Sequence, residues 1–216
     1  MKKTLIAGLL ATFLAAPASG QNLESLMKKP LSYWKEGVRE FVLFSLSELP
    51  GKKFEVYPEG SGRMELLTGI AGSYGMSVRD IERLYQTAVK LAVRDALSHL
   101  NCQVSDPDIA FVMGEVSWQI ESSCRKSVTD YIEKRKGLYL KQALEECGLL
   151  KISPLAASFL GSEGCRELLS GFSTKATDTL FEYLRNEEKE LYREPEKVEE
   201  KNLKEIVETL KKSGIL

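Results

Sequence analysis

From Ser77 onward the chain repeats apolar residues at three- and four-residue spacing, and this period limits the fold more than any other feature. Ile81, Leu84, Tyr85, Ala88, Leu91, Ala92 and the Ala96, Leu97, Leu100 group fall on one face of a 3.6-residue helix, with Ser77 and Asp80 three apart at its start as capping residues. A second pattern follows SDPD, where Ser105 or Asp106 can cap and Pro107 suits a first turn; Ile109, Val112, Val116 and Ile120 carry it. A third helix is expected from about Ser127 to Cys147-Gly148, a short fourth from Ser153-Pro154 to the GSEG stretch, and a fifth from Ser173 toward Tyr192. A last, charged helix starts at Pro195 and closes at Lys212-Ser213-Gly214. Stripes that must bury one face against each other predict an all-α bundle of five to six helices over 77–193, with a charged amphipathic helix over 194–216.

Ahead of this bundle the pattern is less decided. In PLSYWKEGVREFVLFSLSEL, either Pro30 opens a helix with Trp34, Val38, Phe41 and Ser45 on one face, or FVLFSLS is a strand that turns at LPGKK into KFEVY. The paucity of β-branched residues favours the helix. PEGSGRMELLTGIAGSYGMS, with Gly60, Gly62, Gly69, Gly72 and Gly75, matches no nucleotide-binding fingerprint and reads as a connector, so that 21–76 is an N-terminal helix or hairpin plus Gly-rich loop.

The first twenty residues combine Lys2 and Lys3, an apolar run from Leu5 to Ala16, and small residues at Ala16, Ala18 and Gly20. This is the layout of a bacterial secretory signal peptide, with cleavage expected after Ala18 or Gly20 and a periplasmic or secreted product. No later apolar run reaches the roughly 18 to 20 residues that a spanning helix needs. The 30 basic and 31 acidic residues give a formal charge of −1. Loss of Lys2 and Lys3 would make the chain more acidic, and nucleic acid is a poor partner for such a surface. Of the acids, 25 are glutamate, and Asn and Gln together number nine, a balance that points to a thermophilic source.

In an exported chain the even set Cys102, Cys124, Cys147 and Cys165 is expected to be oxidised. None of the spacings forms a CxxC pair, so neither a thioredoxin-like site nor a common zinc site is expected. The lone histidine, His99, stands three residues before Cys102 and reads as the last turn of a helix. Neither metal nor cofactor is expected. If successive helices return antiparallel, Cys102 and Cys147 share one end of the bundle and Cys124 and Cys165 the other. The expected bridges are therefore Cys102–Cys147 and Cys124–Cys165.

Pro107–Ser127, PDIAFVMGEVSWQIESSCRKS, is an apolar helix ending in Glu121-Ser122-Ser123, and Gly137, Leu138 and Gln142 follow. The segment resembles that of lytic transglycosylases of the lysozyme-like superfamily, in which a helix ends in a catalytic Glu-Ser and a Gly-Leu-Met-Gln motif comes later. The resemblance implies Glu121 as a general acid toward a glycosidic oxygen. The family's Asn-Ala-Gly and tyrosine motifs have no counterpart in this chain.

No other set of polar residues converges on a known catalytic pattern. Phe111, Trp118, Tyr131 and Tyr139 read as core. In the tail, Val198, Leu203, Ile206, Val207 and Leu210 form a narrow apolar stripe, the expected surface for a protein partner or for self-association. The composite expectation is an exported, non-enzymatic, disulfide-stapled protein-interaction module of the cell envelope, of the kind found in secretion, pilus or surface assemblies. The alternative is a peptidoglycan lytic transglycosylase using Glu121.

Overall fold

The computed structural model describes residues 19–59 and 62–215. The secretory segment expected over 1–20 lies outside the described residues as far as residue 18. All regular structure among the described residues is helical, and no helix is long and apolar enough to cross a membrane. In chain order the helices are α1 (Ser19–Met27), α2 (Leu31–Glu48), α3 (Arg63–Tyr74), α4 (Val78–Ser98), α5 (Pro107–Met113) and α6 (Val116–Glu133), then α7 (Lys136–Glu146), α8 (Leu149–Ile152), α9 (Ala156–Phe159), α10 (Glu163–Leu168), α11 (Phe172–Arg193) and α12 (Lys201–Lys212).

The chain divides into two compact units that are not consecutive in sequence. The described parts of Met1–Glu48, Asn101–Cys124 and Tyr183–Leu216 form the first; Leu49–Leu100 and Arg125–Glu182 form the second. A linear division at 76/77 and 193/194 therefore does not hold, because the N-terminal helices and the tail belong to one core.

In the first unit α2 buries Trp34, Val38, Phe41, Phe44 and Ser45, so FVLFSLS is helical rather than a hairpin strand. Trp34 packs against Phe111 of α5 at 6.1 Å between ring centroids. Gly37 is needed where it stands: a β-carbon there would lie 2.6 Å from Ile206 Cδ1 and 3.3 Å from Phe111 Cε2. The tail is thus a core element. Leu203, Ile206, Val207 and Leu210 of α12, with Val198 before it, are fully buried, and α12 packs on α1, α2 and α5. The five residues are covered by their own chain, which corrects the reading of them as a partner-facing stripe. Glu40 Oε2 accepts a hydrogen bond from the Leu203 N–H (2.6 Å) at the start of α12, and Lys29 pairs with Glu205 at 3.0 Å.

The disulfide of this unit corrects the expected connectivity: Cys102 is bonded to Cys124, with α-carbons 5.7 Å apart. The physical reason lies at Gly114, whose φ of 62° ends α5 after seven residues. The presumed straight helix is instead two, and Ser123 Oγ of α6 donates to Gln103 O at 3.0 Å, beside Cys102. Glu188, buried in α11, supplies the start of α6: its carboxylate accepts from the Val116 N–H (2.8 Å), the Ser117 N–H (3.0 Å), the Ser117 hydroxyl and Tyr192 Oη (2.9 Å). Negative charge at a helix N-terminus meets both the orphan donors and the dipole.

The second unit is built on α4, which buries one face from Ile81 to Leu97, and on α7, which buries Tyr139, Leu140, Ala143 and Leu144 and packs on α4. Ser77 and Asp80 form the expected capping box. The Gly-rich stretch is not all loop: α3 runs through Gly69 and Gly72, buries Leu67, Ile70 and Ala71, and ends at Gly75 in the left-handed region. Cys147 and Cys165 are both free and buried here, the second correction to the expected bridges. Cys147 Sγ lies 3.4 Å from Thr87 Oγ1 and serves as its donor, and burial pushes the Cys165 thiol above its ordinary value. No helix begins at Ser127, since α6 continues from Val116 to Glu133.

Candidate functional site

Most of the converging polar side chains lie in the second unit, in two places. At the C-terminal end of α4, Asp95 accepts hydrogen bonds at a single oxygen, Oδ2, from Tyr139 Oη (2.6 Å) and Tyr131 Oη (3.1 Å). His99, the C-cap of α4, places Nδ1 2.9 Å from the Asp95 carbonyl oxygen and 3.3 Å from Oδ1. Its ring lies 5.3 Å from that of Tyr131, and Arg135 stacks on the other side of the cluster, 3.8 Å from the Tyr131 centroid. Burial first, then the Asp95 carboxylate, push both phenols above their ordinary value, so they remain neutral donors across physiological pH. The network ties the end of α4 to α6 and α7. Both phenol donors are already spent on Asp95, so the cluster has the character of a structural lock more than of a reacting centre.

The second place is an open groove of about 300 Å³. One wall is the segment Glu55–Glu59, and the other is one face of α11 with Lys175, Asp178, Thr179 and Glu182 at helical spacing; Arg63 closes an end. Arg63 lies over the Tyr57 ring at 3.8 Å and pairs with Glu82 at 2.7 Å. Lys175 bridges to Glu59 (3.0 Å) and Arg125 to Asp178 (2.7 Å).

The remaining candidate residues fall outside these places. Cys102, which stands near His99 in sequence, is in a disulfide and offers no thiolate. Among the described residues no group of three or more His, Cys, Asp or Glu side chains is arranged to hold a metal ion. Glu121 accepts from Arg185 of α11 within the first unit, with only 16% of its side chain exposed, and it does not line the groove. The Arg185 guanidinium holds this carboxylate and ties α6 to α11 within the first unit. Phe111 and Tyr139 are core as expected, but Trp118 is 54% exposed. Sequence reasoning missed Asp95, Arg135 and Glu188. Only Asp95 left a trace, as an acid four residues before the lone histidine.

Apolar exposure concentrates between α7 and α10. Leu150 (43%), Ile152 (63%) and Leu155 (54%) stand open within six residues. No protein-family model, curated protein or solved structure matches the chain.

Proposed function

We propose that the chain is an exported, non-enzymatic helical module of the bacterial cell envelope that binds another protein. Lone exposed apolar residues are ordinary on any surface, whereas several exposed within a few residues of one another are what a binding surface looks like before it is covered. Leu150, Ile152 and Leu155, on the short α8 and the turn after it, are the observation that carries the reading. Export rests on the charged, apolar and small-residue order of the first twenty residues, and a disulfide at Cys102–Cys124 is in keeping with an oxidising compartment.

The test is site-specific photocross-linking in the living cell with a benzophenone side chain at position 152, and at exposed Lys141 as control. The expected result is a discrete adduct from 152 alone, in the periplasmic or secreted fraction, on a chain whose N-terminus begins after Ala18 or Gly20. Ile152→Asp in a chain labelled at 155 should remove the adduct. A chain retained unprocessed in the cytoplasm, or adducts no different from the control, would sink the proposal.

A further inference from the structure

The straight segment Lys53–Glu59 is the feature that neither the packing nor the preceding reading absorbs. It has no helix, turn or bend, and its exposure alternates over its first four residues, Lys53 and Glu55 being exposed and Phe54 and Val56 half-buried, before Tyr57 and Pro58 turn inward. That is the period of a strand, and it explains why KFEVY reads as one in the sequence. Yet no strand among the described residues lies beside it. Its start is anchored by Lys90 Nζ, which donates to Pro50 O (2.9 Å) and Lys52 O (2.8 Å), and its end by the Lys175–Glu59 ion pair. Between the anchors, the backbone groups of Lys53, Glu55, Val56 and Tyr57 make no hydrogen bond among the described residues. A strand edge left open is a template for another chain, and proteins that do not use such edges cover or pair them.

We infer that this segment is an acceptor edge for an extended basic peptide, which adds as a strand in the groove between Lys53–Glu59 and α11. The inference rests on the reading of the chain as a protein-binding module and adds to it a second surface, with the partner's chemistry. Main-chain hydrogen bonds supply the attachment, as in other strand additions, and the groove's charge supplies the preference. Of its carboxylates, Glu59 and Asp178 are already paired with Lys175 and Arg125. Glu55 and Glu182 have no ion pair among the described residues, and they lie on opposite walls of the groove. A lysine or arginine of the incoming strand would sit between them. An acidic peptide would meet uncompensated repulsion.

The experiment uses the full chain and two end-blocked, fluorescein-labelled heptapeptides, one alternating Lys and Val and the other Glu and Val. Fluorescence anisotropy should show binding of the Lys/Val peptide and none of the Glu/Val peptide, and hydrogen exchange should show new protection at residues 53–57. The double charge reversal Glu55→Lys with Glu182→Lys should weaken binding about tenfold or more, from two exposed ion pairs lost and replaced by repulsion. Strand pairing uses the N–H groups of alternate residues, so Lys53→Pro and Val56→Pro, which differ in parity, should behave differently: one abolishes binding and the other leaves it. Circular dichroism melts of the variants confirm that each is folded. Equal binding of both peptides, or equal effects of the two prolines, would overturn the strand-addition site. So would concentration-dependent protection of residues 53–57 without peptide, which would make the occupant a second copy of this chain. The adduct at position 152 is read separately. Its persistence in the Glu55→Lys, Glu182→Lys chain, alongside failure of the peptide to bind, would leave the protein-binding reading standing and remove only this site.

Discussion

The two units meet the cost of chain ordering by different means. The first collects three stretches far apart in sequence, so closing it costs loop entropy that local helix formation does not repay. It carries the Cys102–Cys124 clip, the buried Glu188 cap on α6, and a tail that buries Val198, Leu203, Ile206, Val207 and Leu210. The second is made of two longer stretches around α4, keeps its cysteines reduced, and presents a groove, an extended segment with no strand beside it among the described residues, and an apolar run. The contrast separates devices that hold the chain from surfaces that remain to be covered. It also shows that neither disulfide potential nor apolar periodicity reveals which kind of region a stretch belongs to.

The largest effect that can break this comparison is removal of Pro195–Leu216. Val198, Leu203, Ile206, Val207 and Leu210 are fully buried, and at about 1.5 to 3 kcal/mol per side chain their loss is comparable to the stability of a whole domain. Truncation after Glu194 should leave an insoluble chain, or one in which α1, α2 and α5 exchange their amides freely. An unchanged melting temperature would mean that α12 is dispensable, and the first unit would lose its distinguishing feature.

Next in size is the disulfide. With a sequence separation of 22, the bridge should contribute about 3 kcal/mol by restricting the unfolded chain. Protein recovered from an oxidising compartment should titrate two thiols after denaturation, and digestion should yield one linked pair, Cys102 with Cys124. The Cys102→Ala, Cys124→Ala variant should lose stability to urea, with faster exchange in α5 and the first half of α6. Paired replacement of Cys147 and Cys165 should leave the linked peptide intact. A linked peptide containing Cys147 or Cys165 would erase the redox difference between the units.

How much of this was legible follows the range of the interactions. The helical class, the Ser77 cap, the buried face of α4 and the helix over FVLFSLS depend on neighbours within a few residues, and the period displays them. The expected bridges differ from the observed one because a single residue, Gly114, turns an apparent long helix into α5 and α6, while Val112 and Val116, four apart, keep the apolar spacing unbroken across the bend. The tail was misread because an amphipathic stripe records that a face must be covered and not by what. What covers it is Gly37 and its surroundings, some 170 residues away in sequence, where the absence of a side chain is the only mark. In the candidate sites, the alternation of KFEVY is visible in the sequence, but the absence of a strand beside it among the described residues is not. The Asp95 network was hidden because its tyrosines looked like ordinary core.

The smallest effect contrasts an exposed cap in the second unit with the buried one in the first. Ser77 Oγ accepts from the Asp80 N–H at 3.1 Å, and Asp80 Oδ2 accepts from the Ser77 N–H at 2.9 Å and from its hydroxyl at 2.7 Å. These bonds, the side-chain one first, hold the Asp80 carboxyl below its ordinary value of 3.8. A depressed carboxyl contributes stability that is fully present above its unfolded value and is lost as pH falls through the folded one. Ser77→Ala should therefore cost about 1 kcal/mol at neutral pH. The gap between wild type and variant should narrow below about pH 4, where Asp80 takes up its proton in the unfolded chain and then in the folded one. Urea titrations at neutral pH and at about pH 2.5 measure both gaps. A gap that stays the same at the two values would show that the serine caps without its aspartate partner, and that the exposed cap draws nothing from charge.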